Sequence, residues 1–233
     1  MEYLQQAGYR FGFTQPLSEH QRAALIALLQ DVPVGDHTPL GGRGGVAIRA
    51  VDGLGSVAVK RYVRGGILRA INAQYYLAFG PSRPQVEFEL LERVRGLGVN
   101  APEPIACVTR GRLWYEGWLV MREIPSHRRL SDPGVVEEHG SERLFKEISR
   151  QVKILISHRI LHIDLHPGNV LIDNHEVVHL IDFDNACAWK GRERDLRDQY
   201  LRRWRRAVIK HRLPETLSEL MAAELRQVAA QGC

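Results

Sequence analysis

The chain has 233 residues, 44% of them hydrophobic and 25% charged, with a formal net charge of +5. That balance is ordinary for a soluble globular protein of one large domain or two small lobes, each able to bury a core. The start MEYLQQAGYRFGF lacks the basic residues and apolar block of an export leader, and no apolar run approaches the roughly 20 residues of a membrane span. Cys107, Cys187 and Cys233 are too scattered for a zinc site or a disulfide framework. The expectation is a chain kept in a reducing cytoplasm.

In chain order, Ser18 and Gln21 form a capping box ahead of Leu25, Ile26, Leu28 and Leu29, which predicts a helix over 18–30. Val46 to Ala50 and Ser56 to Lys60 flank the turn residues Asp52, Gly53 and Gly55 and read as a hairpin. A helix follows from about Pro84 to Leu97, with Gly98 as its stop, and then strands near Ile105 to Thr109 and Trp114 to Met121. Leu144, Ile148, Val152 and Leu155 mark a helix that begins at a cap, Ser141. After the loop His162 to Asn169 come two short strands, Val170 to Asp173 and Val177 to Ile181. Two helices close the chain, one carrying Leu196, Tyr200, Trp204 and Val208, the other Leu217, Leu220, Met221 and Leu225. The fold class is α+β, a β-rich lobe before a smaller α-rich lobe, with the boundary near Arg122 to Ser126. The organisation expected is an N-terminal extension with a helix over 1–36, a first lobe over 37–124 and a second over 125–233.

The chemistry gathers in a few segments. His162-Ile163-Asp164-Leu165-His166-Pro167-Gly168-Asn169 sets a carboxylate and an amide five residues apart on one loop. Phosphoryl transfer needs a carboxylate at the acceptor hydroxyl and oxygen ligands for magnesium. Asp182, in Ile181-Asp182-Phe183-Asp184, lies thirteen residues after Asn169, and a hairpin between the two segments would bring it back beside Asn169. Lys60 ends an apolar strand, and an ammonium buried there needs anionic partners. Glu87 is the candidate because Leu91 and Val94 share its helix side; Glu89 and Glu92 lie further round. Gly41-Gly42-Arg43-Gly44-Gly45 offers a glycine turn whose backbone can approach phosphate, through Gly42 and Gly44. Basic residues crowd the C-terminal segment, from Arg192 through Arg202, Arg203, Arg205, Arg206 and Lys210 to Arg212. They are either a solvated helix face or a surface for anions, and no nucleic-acid-binding motif accompanies them.

Taken in order, glycine loop, strand lysine, catalytic loop and metal aspartate resemble the protein-kinase signature over roughly residues 38 to 200. The resemblance implies a two-lobed, protein-kinase-like fold using ATP and Mg2+. Lys60 would hold the α- and β-phosphates and pair with Glu87, Asp164 would be the catalytic base, and Asn169 and Asp182 would bind magnesium. His162 would structure the loop, and Met121 to Glu123 would form the adenine hinge. The chain departs from protein kinases where Ile163 replaces the arginine after the histidine and Asp184 the glycine of Asp-Phe-Gly. Only 51 residues follow Asp182, too few for an activation segment and a peptide-binding lobe.

More narrowly, Lys60 to Gly66, Ser82-Arg83 before Glu87-Phe88, Val99 to Pro104, Glu123-Ile124-Pro125 and the catalytic loop resemble the 3-deoxy-D-manno-octulosonic acid (Kdo) kinases of the lipopolysaccharide core kinase family. That resemblance implies phosphorylation of a Kdo hydroxyl on a lipid A precursor by a peripheral protein at the cytoplasmic face of the inner membrane. An acidic sugar beside lipid phosphates suits a net-basic chain, with Arg61, Arg64 and Arg83 as acceptor-side candidates or, equally, structural charges. Neighbouring heptose kinases share the motifs. An aminoglycoside or choline kinase is the other enzymatic reading, against which the arginines count, because those acceptors are cations. A pseudokinase scaffold is the non-catalytic one, against which stands the presence of Lys60, Asp164, Asn169 and Asp182.

Overall fold

The structure, a computed structural model, describes residues 1–31, 46–62, 76–77, 80–112, 114–136 and 140–226. The chain divides into two compact units, one of Met1–Glu92 with Pro102–Glu123 and one of Arg93–Ala101 with Ile124–Cys233.

The first unit is built on a seven-stranded antiparallel sheet. Its strands are β1 (Glu2–Gln6), β2 (Tyr9–Phe13), β3 (Val46–Val51), β4 (Gly55–Tyr62), β5 (Tyr76–Leu77), β6 (Pro104–Gly111) and β7 (Trp114–Arg122). The order is β1-β2-β6-β7-β4-β3, with β5 also paired to β7. The β1–β2 hairpin, which the sequence reading passes over, belongs to this sheet through pairing of β2 with β6. Helix α1 (Glu19–Asp31) opens with a reciprocal capping box: Gln21 N donates to Ser18 Oγ at 3.1 Å, and Ser18 N donates to Gln21 Oε1 at 2.9 Å. Leu25 and Leu29 of α1 complete a core with Tyr9, Phe11, Val57, Val59 and Trp118. Alternation along β4 buries Val57 and Val59 and leaves Lys60 partly accessible.

Helix α2 (Arg83–Gly96) passes from the first unit into the second and stops where Gly98 takes φ +90°, a conformation glycine adopts without steric cost. The second unit holds α3 (Ser141–Ser157), α4 (Glu193–Lys210) and α5 (Thr216–Arg226). Two small sheets join them: β8 (Arg128–Arg129) with β10 (Val170–Ile172) and β11 (Val178–Leu180), and β9 (Ile160–Leu161) with β12 (Cys187–Ala188). Gly140, rather than Ser141, occupies the N-cap of α3; its φ of 77° is open to glycine, and Ser141 is the first helical residue. Every fourth residue of α4 from Leu196 to Val208 is buried, and the Trp204 indole donates to Leu217 O at 3.0 Å, fastening α4 to the start of α5.

Candidate active site

In the first unit the strand lysine meets its helix carboxylate. Lys60 Nζ donates to both Glu87 oxygens, at 3.1 and 3.0 Å, and the Tyr62 hydroxyl donates to Glu87 Oε2. Glu87 is only 2% exposed, so its charge depends on these donors, whereas Glu89 and Glu92 remain outside the pair. Tyr62, two residues beyond Lys60 and on the same strand face, is a site residue that sequence reasoning missed; period-2 alternation was the available signal. Arg83 stacks over the Tyr62 ring with its guanidinium carbon 5.6 Å from the centroid. Arg61 binds Glu116 at 2.6 Å and lies over Trp118, so a structural partner accounts for its charge. Gly42, Gly44 and Arg64 lie outside the described residues.

In the second unit the loop His162–Asn169 is held largely through its backbone. His162 is fully buried, and burial keeps its imidazole below the usual histidine range and neutral. Its Nε2 donates to Ile181 O at 3.0 Å, because a carbonyl can only accept, and its ring packs on Phe183 at 4.4 Å between centroids. Tyr200 of α4 spans the loop entry, accepting from His162 N and donating to Ile160 O, both at 2.8 Å. Arg203 donates to Ile163 O at 3.0 Å, so one member of the basic run is a loop support rather than a solvated charge. Downstream, His166 caps the 3-10 turn Pro167–Asn169 by accepting from Gly168 N at 3.0 Å. A Cβ on Gly168 would lie 2.9 Å from that imidazole, which explains the glycine.

The hairpin anticipated between the two motifs forms. β10 and β11 pair Val170 with Leu180 and Ile172 with Val178, and Ile181 N donates to Asn169 O at 3.0 Å. That register sets Asp182 diagonally beside Asn169. Asp182 adopts φ 66°, an uncommon left-handed conformation that aspartate tolerates better than most residues. Asn169 Nδ2 donates to Asp164 O at 2.8 Å, which fixes the amide and turns its oxygen away from that bond. Among the described residues no three His, Cys, Asp or Glu side chains converge as a metal cage. One carboxylate and one amide oxygen suit magnesium, which keeps several waters and shares phosphate oxygens instead.

An antiparallel sheet with a lysine–glutamate pair in one unit, and the His162–Asn169 loop and aspartate hairpin among helices in the other, is the protein-kinase-like fold. The chain belongs to the lipopolysaccharide kinase (Kdo/WaaP) family, whose profile matches residues 39–225. Among its curated relatives, a 3-deoxy-D-manno-octulosonic acid kinase of Vibrio cholerae is 35% identical over 138 residues, 58% of each chain. Similarity to the Photobacterium damsela subsp. piscicida protein of that name is 29% over 160 residues, 66% of this chain and 65% of the other. With the Stenotrophomonas maltophilia K279a protein of that name it is 31% over 190 residues, 77% of this chain and 70% of the other. The match thus spans a little over half the length of the Vibrio cholerae relative.

Proposed function

We propose that this protein is an ATP- and magnesium-dependent kinase that phosphorylates a sugar hydroxyl, with the Kdo of Kdo-lipid A as acceptor. The observation that carries the reading is the loop that joins Asp164 and Asn169 and pairs with the strand leading into Asp182. Asp164 takes the proton of the acceptor hydroxyl as that oxygen bonds to the γ-phosphorus; the bond from the γ-phosphorus to the bridging oxygen breaks, and ADP leaves. Asn169 and Asp182 would hold magnesium, which when bound neutralises charge on the phosphates. Lys60, held in place by Glu87, serves the α- and β-phosphates, as residues 37–124 bind nucleotide and 125–233 carry the transfer. The kinase name carried by the curated relatives supports the choice of acceptor.

Among the described residues no helix is long and apolar enough to cross a membrane. The proposed location is peripheral, on an anionic bilayer at the cytoplasmic face of the inner membrane. Support comes from α4, where Arg202, Arg205, Arg206 and Lys210 line a shallow surface around Ile209, itself 65% exposed. Labelled ATP offered with Kdo-lipid A, heptosylated core, an aminoglycoside and a generic protein tests the acceptor. Label should enter Kdo-lipid A and add one phosphate to its mass. Label in the heptosylated core alone would move the acceptor to heptose, and label in the aminoglycoside alone would overturn the charge argument as well.

A further inference from the structure

Sequence spacing gives Asp164 no side-chain partner, but the structure supplies one: Asn185 Nδ2 donates to Asp164 Oδ2 at 2.9 Å. Register brings the two together. β12 and β9 pair antiparallel, Cys187 with Leu161 and Ala188 with Ile160. Continued toward the loop, that pairing sets Asn185 across from Ile163, one residue from Asp164. Asn185 is exposed, yet its backbone is pinned on both sides. Ala186 N donates to Phe183 O at 2.9 Å, closing a turn around Asp184 and Asn185, and Phe183 is fully buried against His162. An ionised carboxylate only accepts hydrogen bonds, so the amide must present its nitrogen. Oδ2 thereby accepts the amide with one of its lone pairs, which favours Oδ1 as the oxygen for the proton of an acceptor hydroxyl.

We propose that Asn185 is a positioning residue for phosphoryl transfer, holding the Asp164 carboxylate in one rotamer with Oδ1 toward the acceptor. The inference rests on the reading of Asp164 as the base. Asn185 touches neither reacting atom; it acts through Asp164, so its effect should vanish when the Asp164 carboxylate is gone.

A double-mutant cycle reads this directly. Transfer from labelled ATP to Kdo-lipid A is measured for the wild type, Asn185→Ala, Asp164→Asn and the double variant. Losing a hydrogen bond to a charged group corresponds to about a tenfold fall in kcat, with the KM for ATP within about twofold of wild type. In the Asp164→Asn background the same substitution should change the residual rate less than about twofold. Asn185→Asp, equal in shape but without the donor, should fall at least as far as Asn185→Ala. Wild-type kcat in either Asn185 variant, or an equal loss in both backgrounds, would overturn the positioning role and leave the base assignment standing. Full activity of Asp164→Asn would instead remove the reading on which the inference rests.

Discussion

The two units secure their functional groups by opposite means. In the first, side chains neutralise one another: Lys60 and Tyr62 converge on the buried carboxylate of Glu87. In the second, the loop bearing Asp164 and Asn169 is hung on backbone groups, by Tyr200, Arg203, His162 and His166. An ion pair keeps a charge in place where it only has to bind. A loop tied through its carbonyls and amides is held without using up its one carboxylate, which takes a single amide donor from Asn185. The contrast fits the proposed division, with binding in the first unit and reaction in the second.

Glu87→Ala is the hardest blow to the first arrangement. It leaves Lys60 and Tyr62 without their shared acceptor, and breaking a buried pair costs about 3–5 kcal/mol. Urea unfolding should show that loss, with a raised KM for ATP in whatever folds; an unchanged midpoint would mean the pair does not organise the unit. Tyr200→Phe sharpens the other side. It strips His162 N and Ile160 O of a buried partner, for about 1–3 kcal/mol. Here kcat should fall while the KM for ATP holds. A matching rise in that KM would erase the distinction between the two units.

How much of this was legible follows the same line. Glu87 could be chosen from helix periodicity, and the approach of Asp182 to Asn169 from two apolar runs and a short turn, because each depends on local spacing. Tyr200 and Arg203 look in sequence like a core position and one more surface arginine. Their loop contacts span 38 and 40 residues and appear only once α4 is packed. Asn185 depends on the two-residue strands β9 and β12, too short to leave an alternating pattern. The β1–β2 hairpin escaped because Glu2–Gln6 shows no alternation of apolar and polar residues.

The smallest expected effect lies on the outer face of α4. Replacing Arg205 and Arg206 with Gln should weaken sedimentation with anionic vesicles by about 1 kcal/mol per residue. The difference should disappear in about 1 M salt, where the Debye length falls to roughly 3 Å. Catalysis on soluble acceptor should stay unchanged, since this face bears none of the loop contacts; equal binding to neutral vesicles would count against an electrostatic role.

Whether the Asp164 loop carries out the transfer is read from the turnover of Asp164→Asn with labelled ATP and Kdo-lipid A, followed by mass spectrometry of the lipid. The variant should bind magnesium-ATP as the wild type does and lose about 10²- to 10⁴-fold in kcat. A variant that adds phosphate to Kdo-lipid A at the wild-type rate would show that the transfer does not depend on the Asp164 carboxylate.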